Sequence, residues 1–330
     1  MRSKDILIEE AVFCIFDINL PFVNATQVTL GMDDPEGKYV YSLLTKYFYE
    51  VTSKKARIRP NDFMTEVLER GESPFASVVE YVANEVHAIL KSNPDVMPGN
   101  GIFIKANMDE QEYIVFFKLN YQTKFICNID EAGLVEWKRN SKILPSAGQK
   151  ITEYFYMNLS NGYIRVSDCE NFVDGHSCNY LVDHVLKMSV GKSEKEMVET
   201  FENVIQETVK AVYEEVPQKL MEYRQTVSEI VQEKGTLDVE EFSQVFFSDN
   251  EKAMEQCMEK AREEKLTEQP INISKKMERQ LNKKQKIVTE SGIEIIVPIE
   301  FLQNNDVFEY VQDETGKVSI IIKDVGSVLK

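Results

Sequence analysis

The sequence is poor in the features that mark secreted and membrane proteins. Its five cysteines are an odd number without paired spacing, at Cys14, Cys127, Cys169, Cys178 and Cys257. Scattered cysteines are typical of reduced thiols, so we expect no structural disulfide. No segment approaches the ~20 consecutive apolar residues of a membrane-spanning helix, and the N-terminus has no apolar run long enough for a signal peptide. We therefore expect a cytoplasmic protein without a membrane partner.

Basic residues are also scarce relative to acidic ones. The chain has 38 Lys and Arg against 55 Asp and Glu, a formal net charge of −17, which excludes a protein that coats nucleic acid with its whole surface. The charge is uneven, because residues 192–268 hold 20 acidic and 10 basic residues, whereas residues 272–286 hold six basic residues and one acid. Those six are Lys275, Lys276, Arg279, Lys283, Lys284 and Lys286. A second basic stretch, with Lys138, Arg139, Lys142 and Lys150, has no acid among residues 137–150. The sequence thus permits a local DNA-binding surface.

Catalytic and nucleotide-binding motifs are also missing. Neither GxxxxGKS/T nor GxGxxG occurs, and residues 189–193 carry only the Gly-Lys-Ser end of a P-loop. The best group of zinc ligands is spaced unlike the usual CxxC pairs, which favours ordinary packing at a turn before a helix. It comprises Cys169, Asp174, His176, Cys178, Asp183 and His184. A nucleophilic site on Cys178 and His184 would lack an oxyanion or elbow motif. We expect no enzyme, no metal and no cofactor.

Residues 1–190 predict an α+β domain with a mainly antiparallel sheet. Alternating apolar residues predict two paired strands within residues 6–30, and apolar spacings of three and four predict helices from Pro35, near Phe63 and from Pro74. Residues 102–104 and 113–119 predict a hairpin in a half-buried sheet, which residues 121–126 continue. A second hairpin turns at Asn161-Gly162.

Residues 191–270 predict an acidic helical region. Apolar residues recur at helical spacing from Met197 to Val231, and Pro217 is expected to end or kink the first helix. Asp238 is a candidate cap for one later helix, and Asp249 or Asn250 for the next. The glutamate-rich faces are interpreted as solvated surface or, alternatively, as a surface that docks a basic protein or repels misplaced nucleic acid.

Residues 271–330 predict a basic helix, residues 275–284, followed by a small β-rich domain. Apolar residues alternate over 287–299 around Ser291-Gly292, and again over 308–322 around a turn at residues 314–317. The charge of the helix alone is explained equally well by a solvated face.

This order of parts resembles the bacterial nucleoid-associated proteins of the NdpA type. The resemblance is carried by the hairpin from Gly101 to Leu119, by a helix over residues 176–188 ending at Val190-Gly191, and by the closing block from Ser291 to Val297. It spans nearly the whole chain, and its motifs are apolar strand patterns rather than chemical signatures. The resemblance implies a place in the nucleoid and DNA binding without strong sequence demands. It supplies no catalytic residues.

Two hypotheses follow for function. In the first, the protein is a non-enzymatic DNA-binding protein whose two basic stretches contact phosphates. In the second, the acidic helices of residues 194–268 form a scaffold for a basic, DNA-processing protein, and the link to DNA is indirect. An apolar helical face within residues 197–231 could also support a homodimer, although an intramolecular core explains it equally well.

Overall fold

The computed structural model describes residues 5–129, 131, 133–213, 216–281, 285–288, 292–297, 306–312 and 318–323. Contacts divide the chain into two compact units, residues Met1–Lys192 and Ser193–Lys330. A separate domain beginning at residue 271 stays a prediction. The elements include a seven-stranded antiparallel sheet and many helices. The predicted α+β class is confirmed.

The first unit contains the sheet and most of the strands. Its strands are β1 (Ile6–Ile15), β2 (Asn24–Gln27), β3 (Lys54–Arg57), β4 (Gly99–Met108), β5 (Gln111–Asn120), β6 (Gln122–Ile129), β7 (Val135–Ile143), β8 (Tyr154–Asn158), β9 (Tyr163–Ser167), β10 (Asn171–Val173) and β11 (His176–Cys178). Its helices are α1 (Pro35–Tyr47), α2 (Phe63–Glu69) and α3 (Pro74–Ser92), followed later by a π-helical turn, Leu181–Leu186. The sheet order is β2-β1-β4-β5-β8-β9-β3, with antiparallel neighbours throughout.

Both faces of this sheet are buried. On one face, Phe103, Phe116 and Phe155 pack in a core with α2, α3 and the π-helical turn. On the other face, Phe117 and Tyr156 pack in a second core with α1. The half-buried sheet predicted from the sequence is therefore wrong at its centre. Helices on both sides explain why β5 and β8 are continuous apolar runs rather than alternating ones.

Three segments differ from the prediction. Residues 121–126 do not continue the sheet, because β6 pairs with β7 in a separate two-stranded ribbon. The helix predicted over residues 176–188 begins later: β11 pairs with β10 across Asp174-Gly175, whose positive φ angles of 50° and 83° make the type I′ turn of a tight hairpin. The short edge strand β3, which was not predicted, pairs with β9.

The second unit is mostly helical. Its elements are α4 (Glu194–Val212), α5 (Val216–Lys234), β12 (Thr236–Leu237), α6 (Val239–Phe246), α7 (Glu251–Glu263), β13 (Ile271–Asn272), α8 (Lys275–Leu281), β14 (Gln285–Val288), β15 (Glu294–Val297), β16 (Phe308–Gln312) and β17 (Val318–Ile322). Strand β14 pairs with β15, and β16 with β17, as predicted for this block.

An aromatic cluster forms the core of the second unit. The rings of Phe201, Tyr223 and Phe242 contact one another, with the centroids of Phe201 and Phe242 5.0 Å apart. The predicted cap is confirmed at α6, where the Asp238 side chain accepts from two backbone N–H groups, and at α7 the cap is Asn250. The described helices of the whole chain include none with the length and apolar character to cross a membrane.

Candidate nucleic-acid interface

The ribbon of β6 and β7 is largely exposed to solvent along both strands. In its antiparallel register, Phe125 lies opposite Arg139, Cys127 opposite Trp137 and Ile129 opposite Val135. Residues directly opposite each other in such a pair share a face. The ribbon therefore has one face formed by these six side chains, which we call the apolar face. The residues between them form a polar face.

The apolar face is open to solvent. Trp137 is 72% exposed, Phe125 64%, Ile129 74% and Val135 75%. The rings of Phe125 and Trp137 lie against each other with centroids 5.3 Å apart. Strands normally bury one apolar face against a core. This ribbon presents that face outward instead.

The polar face carries two of the ribbon's lysines. It comprises Lys124, Ile126, Asn128, Glu136, Lys138 and Asn140, by the same register. Lys124 and Lys138 are exposed, and the Lys138 ammonium forms an ion pair with the Glu136 carboxylate. An exposed pair of this kind is weak, so Lys138 can exchange Glu136 for another anion at little cost.

All three basic residues predicted in this region are exposed on one strand. Lys138, Arg139 and Lys142 lie on β7, and the hairpin adds Lys124 from β6, opposite Asn140. Lys124 was not predicted from the sequence, because the basic stretch was identified from neighbouring residues in the chain. Lys124 lies beside that stretch only through the pairing of β6 with β7. The only signal in the sequence was the apolar run of residues 125–127 directly after Lys124, which is typical of a strand.

The second predicted basic group lies partly on α8. Met277 and Leu281 are buried, which leaves Lys275 and Arg279 exposed on one side of the helix at a spacing of four residues. Lys276 is half-buried. Lys286 lies in β14, paired with Ile296, whereas Lys283 and Lys284 lie outside the described residues.

The start of α8 is held by hydrogen bonds. The Met277 N–H donates to Ser274 Oγ over 3.2 Å, and the Ser274 N–H donates to Glu194 Oε1 over 2.6 Å. The exposed basic side of this helix is thus fixed to the helical core of the second unit. The ribbon belongs to the first unit and α8 to the second.

A buried polar network in the first unit was not predicted at all. Lys118 and Glu153 are each 1% exposed, and the ammonium lies 3.0 Å from Glu153 Oε1. Lys118 also donates to the Met97 carbonyl over 2.8 Å, and the Tyr180 hydroxyl donates to Glu153 over 2.6 Å. Burial, followed by the Glu153 charge, raises the pKa of Tyr180. The network joins β5, the approach to β8 and the π-helical turn.

Beside this network, Glu153, Asp168 and Cys169 offer ligand atoms within 4.8 Å of one another. Each acid already has a structural partner: Lys118 neutralises Glu153, and Asp168 accepts from the Val182 N–H over 3.0 Å and the Cys169 N–H over 2.9 Å. Burial raises the pKa of Asp168 to about 7, opposed by those backbone donors. Asp168 is therefore explained as a cap, because its carboxylate accepts a hydrogen bond from the Val182 N–H at the start of the π-helical turn. Cys169 alone is common to this group and to the zinc ligands considered from the sequence.

The chain matches the model of a known protein family. The model of the family described as NA37, nucleoid-associated protein YejK, matches residues 23–330, nearly the whole chain. No curated protein matches the sequence.

Proposed function

The chain belongs to the NA37 family of nucleoid-associated proteins, and from this premise we propose that it binds duplex DNA directly, without enzymatic activity and with little sequence preference. The observation that carries the proposal is the exposed ribbon, on which four basic side chains lie within two paired strands. They are Lys124, Lys138, Arg139 and Lys142. A two-stranded ribbon has the width to enter the major groove of B-DNA, which is ~12 Å wide.

Phosphate contact is the chemistry that such a surface supports. Lys and Arg position a protein on the DNA backbone and carry no direct sequence information. Asn128 and Asn140 on the polar face can add neutral hydrogen bonds to the backbone. The remaining basic residues, Lys275, Lys276, Arg279, Lys283, Lys284 and Lys286, are proposed as a second, independent contact. The net charge of −17 confines binding to these local surfaces.

Fluorescence anisotropy with random-sequence duplex DNA at several salt concentrations tests the proposal. We expect affinity to fall steeply with salt, because each neutralised phosphate contributes ~0.9 to the log–log slope. Lys124→Glu combined with Lys138→Glu, both on the polar face, should weaken binding and lower the slope by about 2. Lys283→Glu combined with Lys284→Glu tests the second contact in the same way.

A matched control separates local contact from net charge. Lys210 and Lys252 are exposed on the acidic helices α4 and α7, and Lys210→Glu combined with Lys252→Glu makes the same change of charge as the ribbon double variant, outside both basic groups. This variant should bind like the wild type. Equal weakening by the Lys210→Glu and Lys252→Glu double variant, or no binding by the wild type at low salt, would contradict direct phosphate contact at the ribbon.

The acidic helices support a second candidate function, a scaffold for a basic, DNA-processing protein. Exposed glutamates line α4, α5, α6 and α7, among them Glu199, Glu207, Glu222, Glu229, Glu233, Glu240, Glu251, Glu255, Glu259 and Glu263. Such a surface attracts a basic partner and sets the rate of encounter. The scaffold predicts a partner that stays bound after nuclease treatment and is lost when Glu251 and Glu255 are replaced by Lys. A partner released by nuclease would contradict it.

A further inference from the structure

Among the residues that the structure describes, none covers the apolar face of the ribbon, although ribbons of this kind require such cover. An isolated two-stranded hairpin is at best marginally stable in water, and it needs another surface on its apolar side. Four large side chains that are each about two-thirds exposed or more present on the order of 500 Å² of apolar surface. That is close to the largest patch found on ordinary monomers, and such patches mark interaction sites.

The charges on the ribbon are arranged along its length. The turn at the tip carries Glu131, which is exposed, and the sequence places Asp130 beside it. Arg139 and Lys142 lie further from the tip, toward the base where Gln122 pairs with Ile143. A ribbon with an acidic tip and a basic base is complementary to a second ribbon that runs in the opposite direction.

We propose that the apolar face is a homodimer interface, in which ribbons from two copies of this chain stack face to face and antiparallel about a two-fold axis. A two-fold contact uses the same patch on both partners, and the charges of this patch are complementary to those of a second copy that runs in the opposite direction. Two copies would together bury roughly 1,000 Å², the lower limit for a specific interface.

This arrangement assigns a role to each side chain of the face. Trp137 and Cys127 lie at its centre, next to the axis, and Phe125 and Ile129 alternate with their counterparts. The acidic tip of one copy reaches the Arg139 and Lys142 end of the other. The polar face points away from the interface on both copies, so dimerisation leaves Lys124 and Lys138 available for phosphate contact, whereas Arg139 and Lys142 of each copy face the partner's tip.

Sedimentation velocity without DNA tests the proposal independently of the proposed function. We expect the wild type to form dimers in the micromolar range and Trp137→Ser to weaken dimerisation by roughly tenfold or more, as for a central aromatic anchor. The matched control is Phe172→Ser, which removes an aromatic side chain that is 54% exposed on the separate β10–β11 hairpin. It should dimerise like the wild type. A monomeric wild type, or a Trp137→Ser variant that dimerises normally, would overturn the proposal.

Charge exchange gives a second test that does not rely on removing a large ring. Glu131→Arg and Arg139→Glu should each weaken the dimer, because each places like charges together across the interface. The double variant should recover dimerisation, because the exchanged charges again face opposite partners. Additive loss in the double variant would overturn the antiparallel arrangement.

The exposed thiol of Cys127 supplies a distance measurement. A short bismaleimide should link two copies through Cys127, since both thiols lie near the axis, and Cys127→Ser should abolish that product. Cys14 and Cys257 are buried, so they interfere little with the readout. A failure of the wild type to cross-link while it sediments as a dimer would place the interface elsewhere and overturn the proposal.

Discussion

Strands β5 and β6 follow each other in the chain, yet they have opposite surroundings. Phe116 in β5 is fully buried between β4, β8 and helices, whereas Phe125 in β6 is 64% exposed. Both strands read as apolar β structure in the sequence. What differs is the neighbour: the sheet is covered by helices on both faces, and the ribbon is not covered within the described part of its unit. Apolar pattern therefore predicts a strand but not what covers it.

The same contrast holds for ion pairs. The Lys118–Glu153 pair is enclosed in the first unit, whereas Lys138 and Glu136 form their pair on the ribbon, with side chains 60% and 40% exposed. The buried pair is supported by further hydrogen bonds from Tyr180 and to the Met97 carbonyl. Breaking each pair should show how strongly exposure to water reduces the contribution of an ion pair to the free energy of unfolding.

Paired phenylalanine truncations should give the largest difference. Phe116→Ala leaves a cavity in a closed core and should lower the free energy of unfolding by about 3–5 kcal/mol. Phe125→Ala leaves no cavity and should change it by no more than ~0.5 kcal/mol under conditions where the protein is monomeric. Urea denaturation of the two variants measures both. Similar losses would mean that the ribbon is packed like the sheet.

Removing one partner of each ion pair should give the next largest difference. Lys118→Met leaves the Glu153 carboxylate buried without its counter-charge and should cost about 3–5 kcal/mol. Lys138→Met should cost less than ~1 kcal/mol, because Glu136 remains in water. Adding Glu153→Gln to Lys118→Met should recover part of the loss in thermal or urea melts. If no recovery occurs, the lost stability comes from packing rather than from an unpaired charge.

The carboxyl group of Asp168, which is neither fully buried nor exposed, should make the stability of the protein depend on pH. Burial raises the pKa of Asp168 from 3.8 to about 7, so between these values the folded protein holds a proton that the unfolded chain has released. The contribution of the protonated Asp168 carboxyl to the free energy of unfolding is complete below about pH 4. It is lost as the pH rises to about 7, at up to ~1.4 kcal/mol per pH unit.

Comparison of the wild type with Asp168→Asn isolates that contribution. The difference in unfolding free energy between the two proteins should shift in favour of the variant as the pH increases from about 5 to about 8. Urea denaturation at both pH values gives the difference directly. A difference that does not vary with pH would show that Asp168 titrates alike in the folded and unfolded chain.

Alanine substitutions of two turn glycines, one in the sheet and one in the ribbon, should give the smallest difference in stability. Gly162, in the β8–β9 turn, and Gly133, in the ribbon turn, have φ angles of +70° and +79°. An alanine at either position is strained by about 1–2 kcal/mol. A Cβ at Gly162 would also lie 3.1 Å from the Ile58 carbonyl oxygen, whereas none of the described atoms lies within 4 Å at Gly133.

Gly162→Ala should therefore lower the melting temperature more than Gly133→Ala. The Gly133 variant loosens a ribbon that adds little to the stability of the sheet, so its loss should appear as faster hydrogen exchange in β6 and β7. An equal loss of global stability in both variants would show that ribbon and sheet unfold together.

Local signals explain which parts of the fold were predictable. The turn at Asn161-Gly162, the Asp238 cap and the resemblance to the nucleoid-associated family are confirmed, because each depends on residues near one another or on the order of elements. The helix predicted from residue 176 was wrong because Asp174-Gly175 turns the chain into a hairpin first. The Lys118–Glu153 pair joins residues far apart in the chain, and neither residue carries a local sign of burial.

The candidate interface shows the same limit. Lys138, Arg139 and Lys142 were predicted as a basic stretch, and their role in DNA binding stays a prediction. Lys124 joins them only through the hairpin register, which depends on a bulge between Gln122 and Lys124. The exposure of Trp137 also depends on what covers the ribbon, and this is a tertiary property that spacing along the chain does not determine.

The two outer strands of the sheet disfavour edge-to-edge pairing between copies of this protein. Strand β2 reads NATQ and strand β3 reads KKAR, and both have only four residues. The Gly191 N–H also donates to the Lys55 carbonyl, which occupies one acceptor on the outer strand. Short, polar or cationic edges discourage the addition of a further strand from another chain. The sheet is thereby protected against fibre-like growth through its edges.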